Sequence, residues 1–128
     1  MDEPVQIGLS RDAHDKLRRL KEDDHFNDMM DGYRFAIALA IARGVSPEDK
    51  PEGRGGPTMF TVGGVDPTKA IYVVIKSLLN PTEPVYKVAE KLAEWGVHEL
   101  SRMSDSGGIP VADLIEEAER LATLRDPR

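Results

Sequence analysis

Asp23, Asp24, His25, Asn27, Asp28 and Asp31 crowd oxygen and imidazole donors into one short stretch, dense enough to suggest a divalent cation. The spacing argues against a calcium loop, since acceptors do not fall at alternate positions and no closing glutamate follows. Acidic residues at a helix start are also what the helix dipole favours, so a solvated capping cluster is the stronger reading. His14, His25 and His98 are scattered and lack the i, i+4 arrangement of a helical metal site. Gly63, Gly64 and Lys69 near a helix start suggest an anion cradle, but Asp66 would set a carboxylate where a phosphate should sit. Gly53, Arg54, Gly55 and Gly56 lack the strand-to-helix context of a nucleotide loop. Glu116, Glu117 and Glu119 read as solvated helix charge. With no cysteine there is no thiol nucleophile or thiolate zinc site. Nucleophile, metal set and pocket do not come together, so the expectation is a protein that is not an enzyme and carries no cofactor.

A different chemistry is offered by the basic residues Arg11, Lys16, Arg18, Arg19 and Lys21, which could meet phosphate. Net charge is -6, so the long-range field repels nucleic acid and any contact depends on that local patch. A strand, a capped helix and a second helix in this order resemble ribbon-helix-helix DNA binders, in which two chains pair their strands in the major groove. Gln6 could read a base edge there; Gly8 could not, and Asp24, Asp28 and Asp31 would oppose phosphate. The competing reading is a solvated helix face.

The elements that must carry these residues are mostly helical. Val5, Ile7 and Leu9 alternate with Gln6 and Gly8, the period of a short strand or extended arm. Ser10 is a good N-cap for a helix to about Glu22, with Ala13, Leu17 and Leu20 at helical spacing. A second helix runs from Met29 to Arg43, closed by Gly44 and Pro47. Its stretch from Phe35 to Ala42 has no polar face, so it must be covered on all sides. In so short a chain this points to an interface between copies through Phe35, Ile37, Ala38, Leu39 and Ile41.

Residues 45–57, rich in Pro, Gly and charge, read as a flexible solvated loop. Thr58 to Val62 can add a brief strand. Asp66 and Pro67 form an N-cap and N1 pair for a helix ending near Asn80 and Pro81. Thr82 to Met103 is strongly amphipathic, with Val85, Val88, Ala89, Leu92, Trp95, Gly96, Leu100 and Met103 on one stripe and Glu90, Lys91, Glu94 and Glu99 mostly on the other. A last helix follows from Val111 to Ala122. The expected fold is mainly α, a single small domain over 1–128: a strand-helix-helix unit at 5–44, the loop, and a helical half at 58–123. The longest wholly apolar run, Phe35 to Ala42, is far below the roughly 18 residues of a membrane helix, and with an acidic start the expected location is the cytoplasm.

Leu9 to Lys21, LSRDAHDKLRRLK, followed by YRFAIALAI from Tyr33 to Ile41, resembles the opening of DndE, the small component of bacterial DNA phosphorothioation systems. The resemblance implies a compact helical tetramer that contacts DNA through lysine and arginine and accompanies sulfur-transfer and restriction proteins. Position by position it points to Lys16, Arg18, Arg19 and Lys21. The chain departs from that family in lacking a cysteine in the second helix and in its acidic joint from Asp23 to Asp31. The function expected is a non-catalytic accessory subunit of a DNA-modification or phage-defence system, homo-oligomeric, binding DNA or a larger DNA-bound protein. The alternatives are a ribbon-helix-helix regulator and a pure protein-interaction module.

Overall fold

A computed structural model describes residues 2–48, 50–51, 53–57 and 59–107. The chain is mainly helical, with five helices and one two-stranded antiparallel sheet among these residues. The helix expected from Val111 to Ala122 lies outside them.

Local signals open and close the first two helices. Helix α1 (Arg11–Glu22) begins at Ser10, whose hydroxyl accepts from the Ala13 N–H at 3.1 Å. It ends at Asp24, which takes a left-handed backbone (φ 62°) while the His25 N–H reaches back to the Leu20 carbonyl at 3.1 Å. Aspartate tolerates that conformation, so no glycine is needed for this Schellman closure. Helix α2 (Met29–Ala42) is capped by Asp28 and closed the same way by Gly44 (φ 68°), with the Val45 N–H on the Ala40 carbonyl.

The apolar α2 is covered by its own chain. Helix α5 (Val85–Asp105) packs along it and α1 against another side, with Ala38 left exposed. Ala36, Ile37, Leu39 and Ala40 are buried there together with Leu17, Leu92, Val97 and Leu100.

Strand β1 (Gln6–Gly8) pairs with β2 (Met59–Thr61), Ile7 opposite Phe60. The strand pairing is therefore within one chain, not between two as in a ribbon-helix-helix dimer. The end of the preceding loop is also less free than its composition suggests. Gly56 donates to the Leu9 carbonyl at 2.9 Å, and a Cβ there would sit 2.6 Å from that oxygen. Glycine is required because residues 53–57 lie flat on the end of β1.

The short helix α3 (Val62–Val65) follows, and then α4 (Ala70–Leu79). Asp66 does cap α4, but not as its N-cap residue. Its backbone closes α3, and its carboxylate reaches forward across the turn of Pro67 to Lys69 to accept from the N–H groups of Ile71 (3.0 Å) and Tyr72 (2.9 Å). The start of α5 is capped by a residue far away in sequence. The Glu3 carboxylate accepts from Val85 N–H at 2.9 Å and Tyr86 N–H at 2.8 Å, placing negative charge at the positive end of the helix dipole. Among the described residues no helix is long and apolar enough to cross a membrane.

Candidate functional site: buried carboxylates and two helix surfaces

Glu90 and Glu94 lie one turn apart on α5 and point inward, 0% and 5% exposed. The amphipathic pattern placed both on the solvent side. A buried carboxylate needs donors, and β1 and the cap that follows it supply them: Gly8 N–H donates to Glu90 Oε2 at 2.8 Å, and Ser10 N–H to Glu94 Oε1 at 2.9 Å. Arg54 Nε lies 3.3 Å from Glu90 Oε1. On the same strand residue, the Tyr33 hydroxyl donates to the Gly8 carbonyl at 3.0 Å. Burial pushes the Tyr33 phenol well above its ordinary value, and the nearby charges of Glu90 and Glu94 push it the same way against Arg54. The phenol is held as a hydrogen-bond donor.

A polar chain continues outward from Glu94. Its Oε2 accepts from the Ser10 hydroxyl at 2.6 Å and from His98 Nε2 at 2.9 Å. Lys16 Nζ lies 2.9 Å from His98 Nδ1. An ammonium can only donate, so Nδ1 is the bare nitrogen and Nε2 carries the proton given to Glu94. Asp12 completes the chain, 3.4 Å from Lys16 Nζ. An open cleft of about 240 Å³, bordered by Lys50, Trp95, His98 and Arg102, reaches Glu94 from outside. Beside it Arg102 pairs with Glu99 and holds that carboxyl below its ordinary value.

Carboxylate, phenol, imidazole and hydroxyl together are the residue types of acid–base chemistry. Here the carboxylates, the phenol and the Ser10 hydroxyl hold backbone, and His98 links Lys16 to Glu94. Ser10 gives its proton to Glu94 and accepts from Ala13, so its oxygen is engaged twice as a cap. Glu90 fastens a strand-edge amide to α5, and Glu94 fastens the amide of the α1 cap. This arrangement binds the N-terminal arm across the helices, and it covers the edge of β1 at Gly8 that a two-chain ribbon would use.

The five basic residues predicted as a DNA surface do not form one positive face. Lys16 turns toward α5. Arg18 lies 3.8 Å from Asp15 and 3.7 Å from Glu22. Arg11, Asp15, Arg18 and Glu22 alternate in sign along one row of the helix, while Arg11, Arg19 and Lys21 are exposed. Within the acidic joint Asp24 closes α1 through its backbone, Asp28 caps α2, and Asp31 pairs with Arg34 at 2.7 Å, while the carboxylates of Asp23 and Asp24 are exposed.

Of the residues expected between copies, Ile37 and Leu39 belong to the chain's own core at 1% and 4% exposure, Phe35 and Ile41 pack half-buried against it, and Ala38 is exposed. Sequence reasoning passed over a different helix. On α4 only Ile75 is buried; Ala70, Val73, Val74, Ser77 and Leu78 face outward, and the exposed Lys76 flanks them, its ammonium 5.7 Å from the Tyr72 ring centroid. Val73 is 58% exposed, and Val74 and Leu78 are each 39% exposed. These five residues carry no charge, and the signal was available in the absence of a charged residue between Ala70 and Ile75. No match is found to a known protein family, a curated protein or a solved structure.

Proposed function

We propose that this protein is a non-catalytic interaction subunit whose working surface is the outer face of α4. One observation carries the reading: three large aliphatic side chains, Val73, Val74 and Leu78, are exposed on the side of α4 turned away from the core. Scattered apolar residues are normal on a surface, but a contiguous uncharged helix face is the signature of a contact site. The polar clusters support the same reading, because their carboxylates and hydroxyls are committed to capping and strand-edge bonds. The DndE-like opening suggests the setting, an assembly that modifies or defends DNA.

An environment-sensitive apolar dye tests the surface directly. It is expected to bind the folded protein and to lose most of that binding in Val73→Glu and Val74→Glu. Unchanged dye binding in both variants, with helicity retained, removes α4 as the working surface.

A second reading, direct contact with DNA through α1, is favoured by Arg11, Arg19 and Lys21, which have no acidic partner among the described residues. It expects salt-sensitive binding of duplex that weakens in Arg19→Ala and Lys21→Ala, each removing about one unit of salt slope. Absence of binding by the folded protein at low salt eliminates it.

A further inference from the structure

We infer that the occupant of the α4 face is a second copy of this chain, packed antiparallel about a two-fold axis at Val74. The inference rests on the proposed function and names its partner. In a two-fold interface the same patch meets itself, so a charge at its axis would face its own like and a charge elsewhere on it would face an apolar side chain of the partner. Ala70, Val73, Val74, Ser77 and Leu78 carry none, although the chain as a whole has a net charge of -6, and Lys76 stands to one side of them by the Tyr72 ring.

The order of side-chain sizes fits the same geometry. Ala70, Val74 and Leu78 form one ridge at i, i+4 and i+8, small at one end and large at the other. An antiparallel partner centred on Val74 sets Ala70 opposite Leu78 of the partner subunit, and the reverse contact follows by symmetry. Each large side chain then meets a small one, the complementarity that ridge-into-groove packing needs. A parallel pair would set Leu78 against Leu78 of the partner subunit and Ala70 against Ala70 of the partner subunit, leaving a bulge at one end and a gap at the other.

Lys69 supports the antiparallel sense. It sits exposed at the start of α4 with a left-handed backbone, φ 62°, where its cation opposes the positive end of its own helix dipole. In the antiparallel pair the same ammonium lies beside the negative end of the partner's helix. The unfavourable placement becomes a favourable one.

A helix of ten residues is about 15 Å long. Such a face falls short of the roughly 800 Å² per partner of a standard interface, so a dimer in the micromolar range is expected, populated as concentration rises.

The absence of cysteine makes the axis directly testable. Val74→Cys, treated with a short bis-maleimide, is expected to cross-link several-fold more than Ala38→Cys, which is exposed on α2. Solution mass of the wild type should rise from one to two copies between micromolar and several hundred micromolar protein, and Val74→Glu should remain monomeric with unchanged helicity. Val74 and Val73 are both solvent-exposed, so Val73→Glu provides a second variant that spares the core.

A dimer that cross-links at Ala38→Cys and not at Val74→Cys overturns the inference. A monomer whose dye binding is lost in Val74→Glu overturns the second copy and leaves the interaction surface standing. A monomer that takes up no dye overturns both.

Discussion

A side chain on Gly96 would place its first carbon 2.1 Å from the carbonyl oxygen of Ala36. That contact is where α5 crosses α2, and it lets two backbones approach closely enough to cover a helix that has no polar face. The expected consequence is specific. Gly96→Ala must push the helices apart, at a cost of about 3 kcal/mol or more, because the atom in the way is backbone and cannot rotate aside. Gly63 in α3 has open space around it, so Gly63→Ala should be neutral or stabilising by about 0.5 kcal/mol. Thermal melts of the two variants side by side check the contrast, and equal melting temperatures would contradict it.

Glu90 and Tyr33 both serve Gly8, one through its N–H and the other through its carbonyl. Glu90→Ala leaves a buried amide without its acceptor and should cost about 3 kcal/mol. Tyr33→Phe removes one hydrogen bond and should cost about 1 kcal/mol. Denaturant midpoints at neutral pH measure both, and a larger loss in Tyr33→Phe than in Glu90→Ala would show that the carboxylate does not hold the arm.

The alkaline limb of stability should depend on the buried phenols. Tyr33 and Tyr86 are both pushed above the ordinary tyrosine value near 10, chiefly by burial, Tyr86 also by its hydrogen bond to Asp66. The folded chain keeps protons that the unfolded chain gives up, so this stability is intact below about pH 10 and drains as pH climbs toward the folded values. Replacing both residues with phenylalanine should flatten the decline above pH 10, seen as denaturant midpoint against pH. A slope as steep as wild type would place the alkaline sensitivity elsewhere.

On the acid side the sign reverses. Glu99 is held below its ordinary value first by its hydrogen bond to Arg102, with desolvation opposing and the charges of Arg102 and Arg43 adding to the lowering. Its contribution is present above the unfolded value near 4.5 and is lost as pH falls through the lower folded one. Glu99→Gln should therefore reduce stability modestly at neutral pH and become indistinguishable from wild type at the bottom of the acid limb.

Glu3 caps a helix that begins at residue 85, so its loss should appear far from its own position. Glu3→Ala is expected to cost about 1 kcal/mol. It should also speed amide exchange at Val85 and Tyr86 while leaving the middle of α5 protected. Exchange confined to the N-terminal arm would show that the cap does not hold in solution.

The sequence alone determined the elements whose causes lie within a few residues. Ser10 announced the start of α1 and Gly44 the close of α2, because caps act on amides and carbonyls three or four positions away, while Asp28 stood out only as one of an acidic capping cluster. The period-two run at Val5 to Leu9 announced β1 for the same reason. What lay beyond reach was every feature whose partner is distant along the chain. Glu90 and Glu94 looked like solvent charges, since a carboxylate is paid to go inside only by donors, and theirs belong to Gly8 and Ser10, 82 and 84 residues earlier. The helix from Phe35 to Ala42 demanded cover, and hydrophobicity could state that demand without naming the surface that meets it. Only the tertiary structure decided that α5 supplies the cover for α2 and that α4 is left with its apolar face in water, because burial is a property of what folds back against a helix, not of the helix itself.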